Sequence, residues 1–434
     1  MTEPGATRED VAPGQTSAQP PLPAVVVVFR DGTPVLEVHP ITGPELRIGR
    51  AGCDIVAEDD RVSREHASIR YGVGRWTVTD LDSRNGTFVD GERTAKHITA
   101  DSAVVRAGHT LCVLIADARQ LVGEQVQIEN DMVVGPTLAN VLSRIRRIAR
   151  VSDTLLISGD SGSGKELAAR TFHLASPNSK GPFVAVNCAT VATGVAERLL
   201  FGAVKGAFSG ATADAEGYVQ AADKGTLFLD ELVELDSAVQ AKLLRVFESK
   251  KVMALGASRS RPVDLRVCSA THADLRTRTA SGDFREDLYF RIGRPAVALP
   301  PLRERREEIP VHVCRELERI GLTADPRLVE RCLVLPWPGN VRELRGEVAR
   351  AGHEAIADER SVVVVDDLSV VAGAAMAGTP TAAEPATAPD KPRIEAALAA
   401  HKGNVSAAAR ELGVHRTQLR RWISRLNIEL PDGG

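Results

Sequence analysis

No apolar run in the 434-residue chain approaches the roughly 18 to 20 residues that span a bilayer, so no membrane segment is expected. The longest β-branched stretches, residues 25–29 and 362–365, read as buried strands. The N-terminus lacks a basic segment followed by an apolar one, which leaves the cytoplasm as the expected compartment. There is no CxxC pair. Cys53, Cys112, Cys188, Cys268, Cys314 and Cys332 are scattered without a short-spaced His partner, which argues against a zinc site or a disulfide framework and for core thiols. Charge of one sign is also missing: 54 Lys and Arg stand against 57 Asp and Glu, a formal charge of -3, so any basic surface must be local. There is no internal repeat. Residues 1–23 carry almost no large apolar side chain, so nothing there offsets the entropy of ordering, and a disordered tail is expected.

What is present is 43% hydrophobic and 26% charged, enough to bury several cores, and the length suits about three folded units. Over residues 24–118, short runs such as AVVVVF, ASIRY and LCVLIA alternate with Gly, Asp and Asn turns, the pattern of a small all-β sandwich. Over residues 130–370, helical periodicity begins with Leu138, Val141, Leu142, Ile145 and Ile148 on one face. The strands LLISG, FVAVNC, TLFLD and LRVCSAT then each precede a longer helical stretch, which predicts an α/β unit with a parallel sheet. Residues 372–389 are an Ala, Thr and Pro linker that sets apart an all-α unit over 390–430.

Gly159-Asp160-Ser161-Gly162-Ser163-Gly164-Lys165 follows an apolar strand and opens a helix, the context of a phosphate-binding loop. Its backbone N–H groups and helix N-terminus suit phosphates, and Lys165 reaches the terminal ones; Glu166 stands where Ser or Thr is usual. Asp230 and Glu231 end a second buried strand: the first to hold magnesium, the second to polarise a water. Together these residues predict a nucleotide and Mg2+ as ligands and hydrolysis as the chemistry.

The order of further segments over residues 130–370 resembles the AAA+ ATPase module of bacterial enhancer-binding proteins, the activators of sigma-54 RNA polymerase, which closes with an α-helical lid. In that family the loop typically ends Gly-Lys-Glu, as it does here with Glu166. The resemblance implies that Asn187 couples the catalytic Glu to nucleotide state and that His272 occupies the sensor position, where Asn is usual. Arg285 and Arg291 then match arginine fingers, which imply a homo-oligomeric ring, a hexamer, because one subunit's Arg completes its neighbour's site. Arg342, in the segment beginning Trp337-Pro-Gly-Asn, takes the sensor position that reads the γ-phosphate from the lid. Gly206-Ala207-Phe208-Ser209-Gly210-Ala211 resembles the GAFTGA loop that grips sigma-54, with Ser for Thr.

Arg50, Ser63 with Arg64, and Asn85 recur in the order of a forkhead-associated (FHA) domain, which binds phosphothreonine: Arg50 forks onto phosphate, Ser63 donates a hydroxyl, Arg64 adds a cation and Asn85 fixes the peptide backbone. The resemblance makes His66 and Gly49 architectural. Residues 393–425 carry seven Lys and Arg against two Glu, a net of +5, in a helix, Gly413 turn, basic helix order. That order resembles the Fis-type helix-turn-helix, with Arg416, Thr417, Gln418, Arg420 and Arg421 on or near the recognition helix. The expected partners are thus DNA, sigma-54 holoenzyme, a second copy of the chain, and a phosphothreonine protein or the chain's own tail at Thr2, Thr7 or Thr16; no membrane partner is expected. Two other readings stay open: a DNA-bound phosphopeptide scaffold that senses ATP without hydrolysing it, and a remodeller of a partner other than sigma-54.

Overall fold

A computed structural model describes residues 20–129, 131–209, 211–374, 391–401 and 428. The chain divides into two compact units, residues 1–374 and 375–434. Of the second, the helix Lys391–Ala400 is described, and it buries Ile394, Ala397 and Leu398. Residues 402–427 lie outside the described residues, and with them Arg416, Thr417, Gln418, Arg420 and Arg421; Gly210, the tail threonines and the 375–389 part of the linker lie outside too.

The first unit opens with a β-sandwich. One sheet has six strands, with Ala24–Arg30 between Thr33–Pro40 and Thr110–Ile115; the other has five, centred on Ala67–Gly72 between Leu46–Gly49 and Arg75–Asp80. The unbroken valine run has a physical cause in its surroundings. Because successive strand side chains point to opposite faces, Val25 and Val27 enter the sandwich core with Ile48, Ile69 and Trp76. Ala24, Val26 and Val28 instead join a second core, shared with Val313 and Leu317 of the helix Ile309–Glu318 and with Val329 and Leu333 of the helix Pro326–Val334. A strand buried on both faces reads as continuously apolar, and this one does.

A buried ion pair ties the sandwich to those helices. Arg106, on the strand Val104–Ala107, donates from Nε to Glu330 Oε2 over 2.6 Å, and both side chains are below 10% exposed. The Arg106 guanidinium also lies 3.9 Å from the centre of the Phe88 ring. The helices Ile309–Glu318, Pro326–Val334 and Asn340–Ala357 form the lid, with Trp337 fully buried and its indole N–H donating to the Cys332 carbonyl over 2.7 Å.

Between sandwich and lid in chain order comes a five-stranded parallel sheet in the order Phe183–Asn187, Thr226–Asp230, Arg266–Thr271, Thr154–Ser158, Ala296–Ala298. Register brings Asn187 beside Asp230 and Ser158 beside Thr271, so the carboxyl ends of four strands meet on one edge. That edge is where parallel α/β sheets collect ligands.

Two expectations need correction. Cys53 is half-buried while the other five cysteines are buried, because it sits in a surface turn where its Sγ contacts the Arg64 carbonyl oxygen at 3.4 Å. Residues 362–365 do not form one buried strand: Val362–Val363 is a two-residue strand with Val362 40% exposed, and a 3-10 turn starts at Val365.

Glu307 sits at the base of the lid with a buried Oε1 that has no hydrogen-bond partner among the described residues. Burial, with Glu308 next to it, pushes its carboxyl up to about 7. A carboxyl whose folded value is raised favours the fold fully below its unfolded value and loses that contribution as pH rises through about 7. Glu307→Gln is therefore expected to raise unfolding free energy by roughly 1–3 kcal/mol at pH 8 and to change it little near pH 4. Urea titration of both proteins at the two pH values checks this.

Candidate functional site

The loop 159–164 is built by its glycines. Gly162 has φ +72, and a Cβ there would collide with the Gly339 carbonyl of the lid; Gly164, at φ +103, caps the helix Lys165–Leu174. Lys165 is 7% exposed; its ammonium donates to the Gly159 carbonyl over 3.0 Å and lies 3.4 Å from Glu231 Oε1. Ser163 Oγ is buried without a partner among the described residues. A buried cation, an orphaned hydroxyl and a glycine cradle fit a phosphate chain.

Asp230 ends its strand, and Glu231 follows in the left-handed region at φ 52, a conformation that costs about 1–3 kcal/mol in a non-glycine residue and clusters at functional sites. Burial raises the Asp230 carboxyl above the ordinary range despite Lys165, so a cation beside it is electrostatically favoured. For Glu231, burial is outweighed by hydrogen bonding to His272 and by Lys165, and its carboxyl is held below the ordinary range. Glu231 Oε2 is 2.7 Å from His272 Nδ1.

The expected residues do not all converge. Ser161, Gly162, Ser163, Gly164, Lys165, Glu166, Asn187, Asp230, Glu231 and Arg342 line one cleft of about 680 Å³, whereas Gly159, Asp160 and His272 do not line it. Arg342 donates from Nη1 to Ser161 Oγ over 3.2 Å. Asn187 caps a 3-10 turn, its Oδ1 accepting from the Ala189 N–H at 3.0 Å; no hydrogen bond joins it to Glu231 among the described residues. Arg285 and Arg291 do not line the cleft. The first pairs with Asp287 at 2.6 Å, and the second donates to the Phe247 carbonyl over 3.0 Å.

Among the residues that sequence reasoning missed, Arg305 and His312 line the cleft and Asn340 bonds the phosphate loop. Arg305 is 1% exposed and joins the Ser163 carbonyl at 2.8 Å to Glu308 at 2.7 Å. Asn340, fully buried, donates from Nδ2 to the Ser161 carbonyl over 2.9 Å and accepts from the Leu302 N–H over 2.7 Å. Both clamp the phosphate loop to the lid. His312 lines the cleft from the helix Ile309–Glu318. The signal was available for Arg305 and Asn340, which lie in the LPPLRERREEIP and WPGN segments, but nothing in the spacing assigns them a partner.

Residues 202–209 form a loop whose base is the Ala203–Ala215 bridge, with a turn at Gly206, φ +85. Phe208 at its tip is 41% exposed, with the Arg198 guanidinium 5.8 Å from its ring centre. Ala207 packs against Gly256, where a Cβ would come within 2.8 Å of it, and Ser209 is exposed; Gly206, Ala207, Phe208, Ser209 and Ala211 thus share one protruding loop.

On the sandwich, Arg50 and Arg64 are exposed, and among the described residues neither side chain has an ion-pair partner. The Arg50 N–H donates to the Ser63 carbonyl over 2.9 Å, and Ser63 Oγ accepts from the Arg84 N–H over 3.1 Å. Asn85 Nδ2 donates to the Arg61 carbonyl over 2.7 Å. His66 is fully buried and bridges this corner from the Ser63 N–H to the Gly86 carbonyl, and a Cβ on Gly49 would strike the Arg64 carbonyl, so both are framework residues.

Three family models match the chain: the sigma-54 interaction domain over residues 132–298, the FHA domain over 46–109, and the bacterial regulatory protein, Fis family, over 389–426. Among curated proteins, the hydrogenase transcriptional regulatory protein HoxA of Cupriavidus necator is 39% identical over 312 residues, 68% of this chain and 65% of that one. The transcriptional regulatory protein GlrR of Escherichia coli is 36% identical over 306 residues, 68% of each chain. The chain thus spans about two thirds of the length of these relatives. Among solved structures, NtrX from Brucella abortus in complex with ADP matches with a TM-score of 0.52 and 30% identity, covering 68% of this chain and 70% of that one; NtrX with ATP gives 0.51. No helix among the described residues is long and apolar enough to cross a membrane.

Proposed function

We propose, from a chain that belongs to the family of sigma-54-dependent transcriptional regulators, that it hydrolyses ATP in a ring and uses the energy to remodel sigma-54 holoenzyme at a promoter. The observation that carries the reading is the convergence of buried Lys165, left-handed Glu231 and desolvated Asp230 at the phosphate loop, closed from above by Arg305 and Asn340 of the lid. Lys165 and the loop N–H groups would bind the phosphates, and Glu231 would orient and deprotonate the attacking water. Magnesium, held through Asp230, would offset charge on the terminal phosphates. Arg342 would sense the γ-phosphate from the lid. Arg285 and Arg291 stand away from their own subunit's cleft, which suits fingers that serve a neighbouring copy. The 206–211 loop would contact sigma-54 through exposed Phe208 and Ser209. The FHA sandwich is the input: Arg50, Ser63, Arg64 and Asn85 would take a phosphothreonine. The basic segment with Arg416, Thr417, Gln418, Arg420 and Arg421 would contact DNA.

The test is a native gel of the full chain with purified sigma-54 and ADP–aluminium fluoride, which mimics the hydrolysis transition state. A shifted band is expected. No shift from protein that turns over ATP would redirect the output to another partner.

A further inference from the structure

We propose that a cleft between the sandwich and the lid extends the phosphopeptide site and takes an acidic residue that flanks the phosphothreonine. This rests on the phosphothreonine reading of the Arg50 corner and adds to it a contribution from the ATPase lid.

The cleft, of about 190 Å³, is lined from the sandwich by Arg61, Asn85 and His109 and from the lid by Asp325, Pro326 and Arg327. Its walls are held in place. Asp59, 5% exposed, accepts from the Arg61 N–H over 2.9 Å and the His109 N–H over 2.7 Å, tying two sandwich loops together. Asn85 grips the Arg61 carbonyl from a third loop. The lid wall is fixed by the buried Arg106–Glu330 pair, one turn past Arg327 on the helix Pro326–Val334.

Charge selects the occupant. Arg61 and Arg327 are exposed, and neither guanidinium has an ion-pair or hydrogen-bond partner among the described residues. The only carboxylate among the lining residues is Asp325, and its Oδ1 accepts from the Arg327 backbone N–H over 2.8 Å, capping the helix. Two guanidiniums facing one narrow cleft favour a carboxylate fork. Continuity supplies the rest. The cleft and the phosphate corner share the 61–64 and 84–86 loops, so an extended peptide with phosphate at Arg50 and Ser63 passes the cleft within a few residues, at about 3.3–3.6 Å per residue.

The experiment measures binding of fluorescent phosphothreonine peptides to the full chain by anisotropy, with a single Glu walked through the flanking positions of an otherwise Ala-flanked sequence. One position is expected to bind about fivefold to tenfold tighter than the Ala-flanked peptide. Arg327→Ala should erase that gain and leave the Ala-flanked peptide unaffected, and Arg61→Ala should reduce it. Arg50→Ala should abolish binding of every phosphopeptide. A gain that survives Arg327→Ala, or no position with a gain while Arg50→Ala still abolishes binding, overturns the composite site and spares the phosphothreonine reading. Wild-type protein that binds none of the phosphopeptides overturns both.

Discussion

Glu231→Gln is expected to lower ATP turnover by about 10²–10⁴-fold while nucleotide affinity stays nearly unchanged, since the amide keeps the shape but cannot accept a proton. Turnover by coupled phosphate release and affinity by a fluorescent ATP analogue separate the two quantities. The geometry adds a second arm. Glu231 is held by His272 at 2.7 Å and by Lys165 at 3.4 Å, while Asn187 bonds its own turn. His272→Ala should therefore lower kcat by about tenfold with little effect on KM, and His272→Asn, which keeps a hydrogen-bonding side chain, should restore part of it. Equal loss in KM and none in kcat would mean that His272 only helps to bind nucleotide.

The second large effect is on stability. Arg106→Met leaves Glu330 buried and uncompensated, with Oε1 already lacking a partner among the described residues, and should cost about 3–5 kcal/mol. Replacing both, as Arg106→Met with Glu330→Leu, should regain most of that, because the surrounding core is apolar. Denaturant unfolding gives the totals. Amide exchange across Pro326–Val334 shows where the loss falls: the single variant should deprotect this helix first, and uniform loosening of the whole chain would contradict the docking role.

What was legible in the sequence follows the range over which each feature acts. The phosphate loop, the Asp230–Glu231 strand end and the FHA loops are contiguous backbone devices, and contiguous residues reveal them. The valine run of the first strand carried a subtler sign, since residues without alternation imply burial on both faces, yet it could not say against what. The answer was the lid. Arg106 and Glu330 lie 224 residues apart, and an isolated charge in an apolar strand has no local pattern that names its partner. Arg305 and Asn340 were hidden for the same reason: their bonds, to Ser163 and Ser161 respectively, cross from lid to loop. Asn187 ends its strand beside Asp230, and its side-chain direction depends on a competing turn N–H that no spacing rule weighs.

The apolar face that Ala24, Val26 and Val28 share with Val313, Leu317 and Val329 bears on how this protein can be cut and recombined. A fragment beginning at Met132 would expose that side of its lid to water, and a sandwich ending near residue 118 would expose the matching side of its first strand. Neither half is a free-standing module in the thermodynamic sense. An exchange of the sandwich for another domain must bring a replacement seal for the lid, so the sandwich here has become part of the lid's own hydrophobic interior.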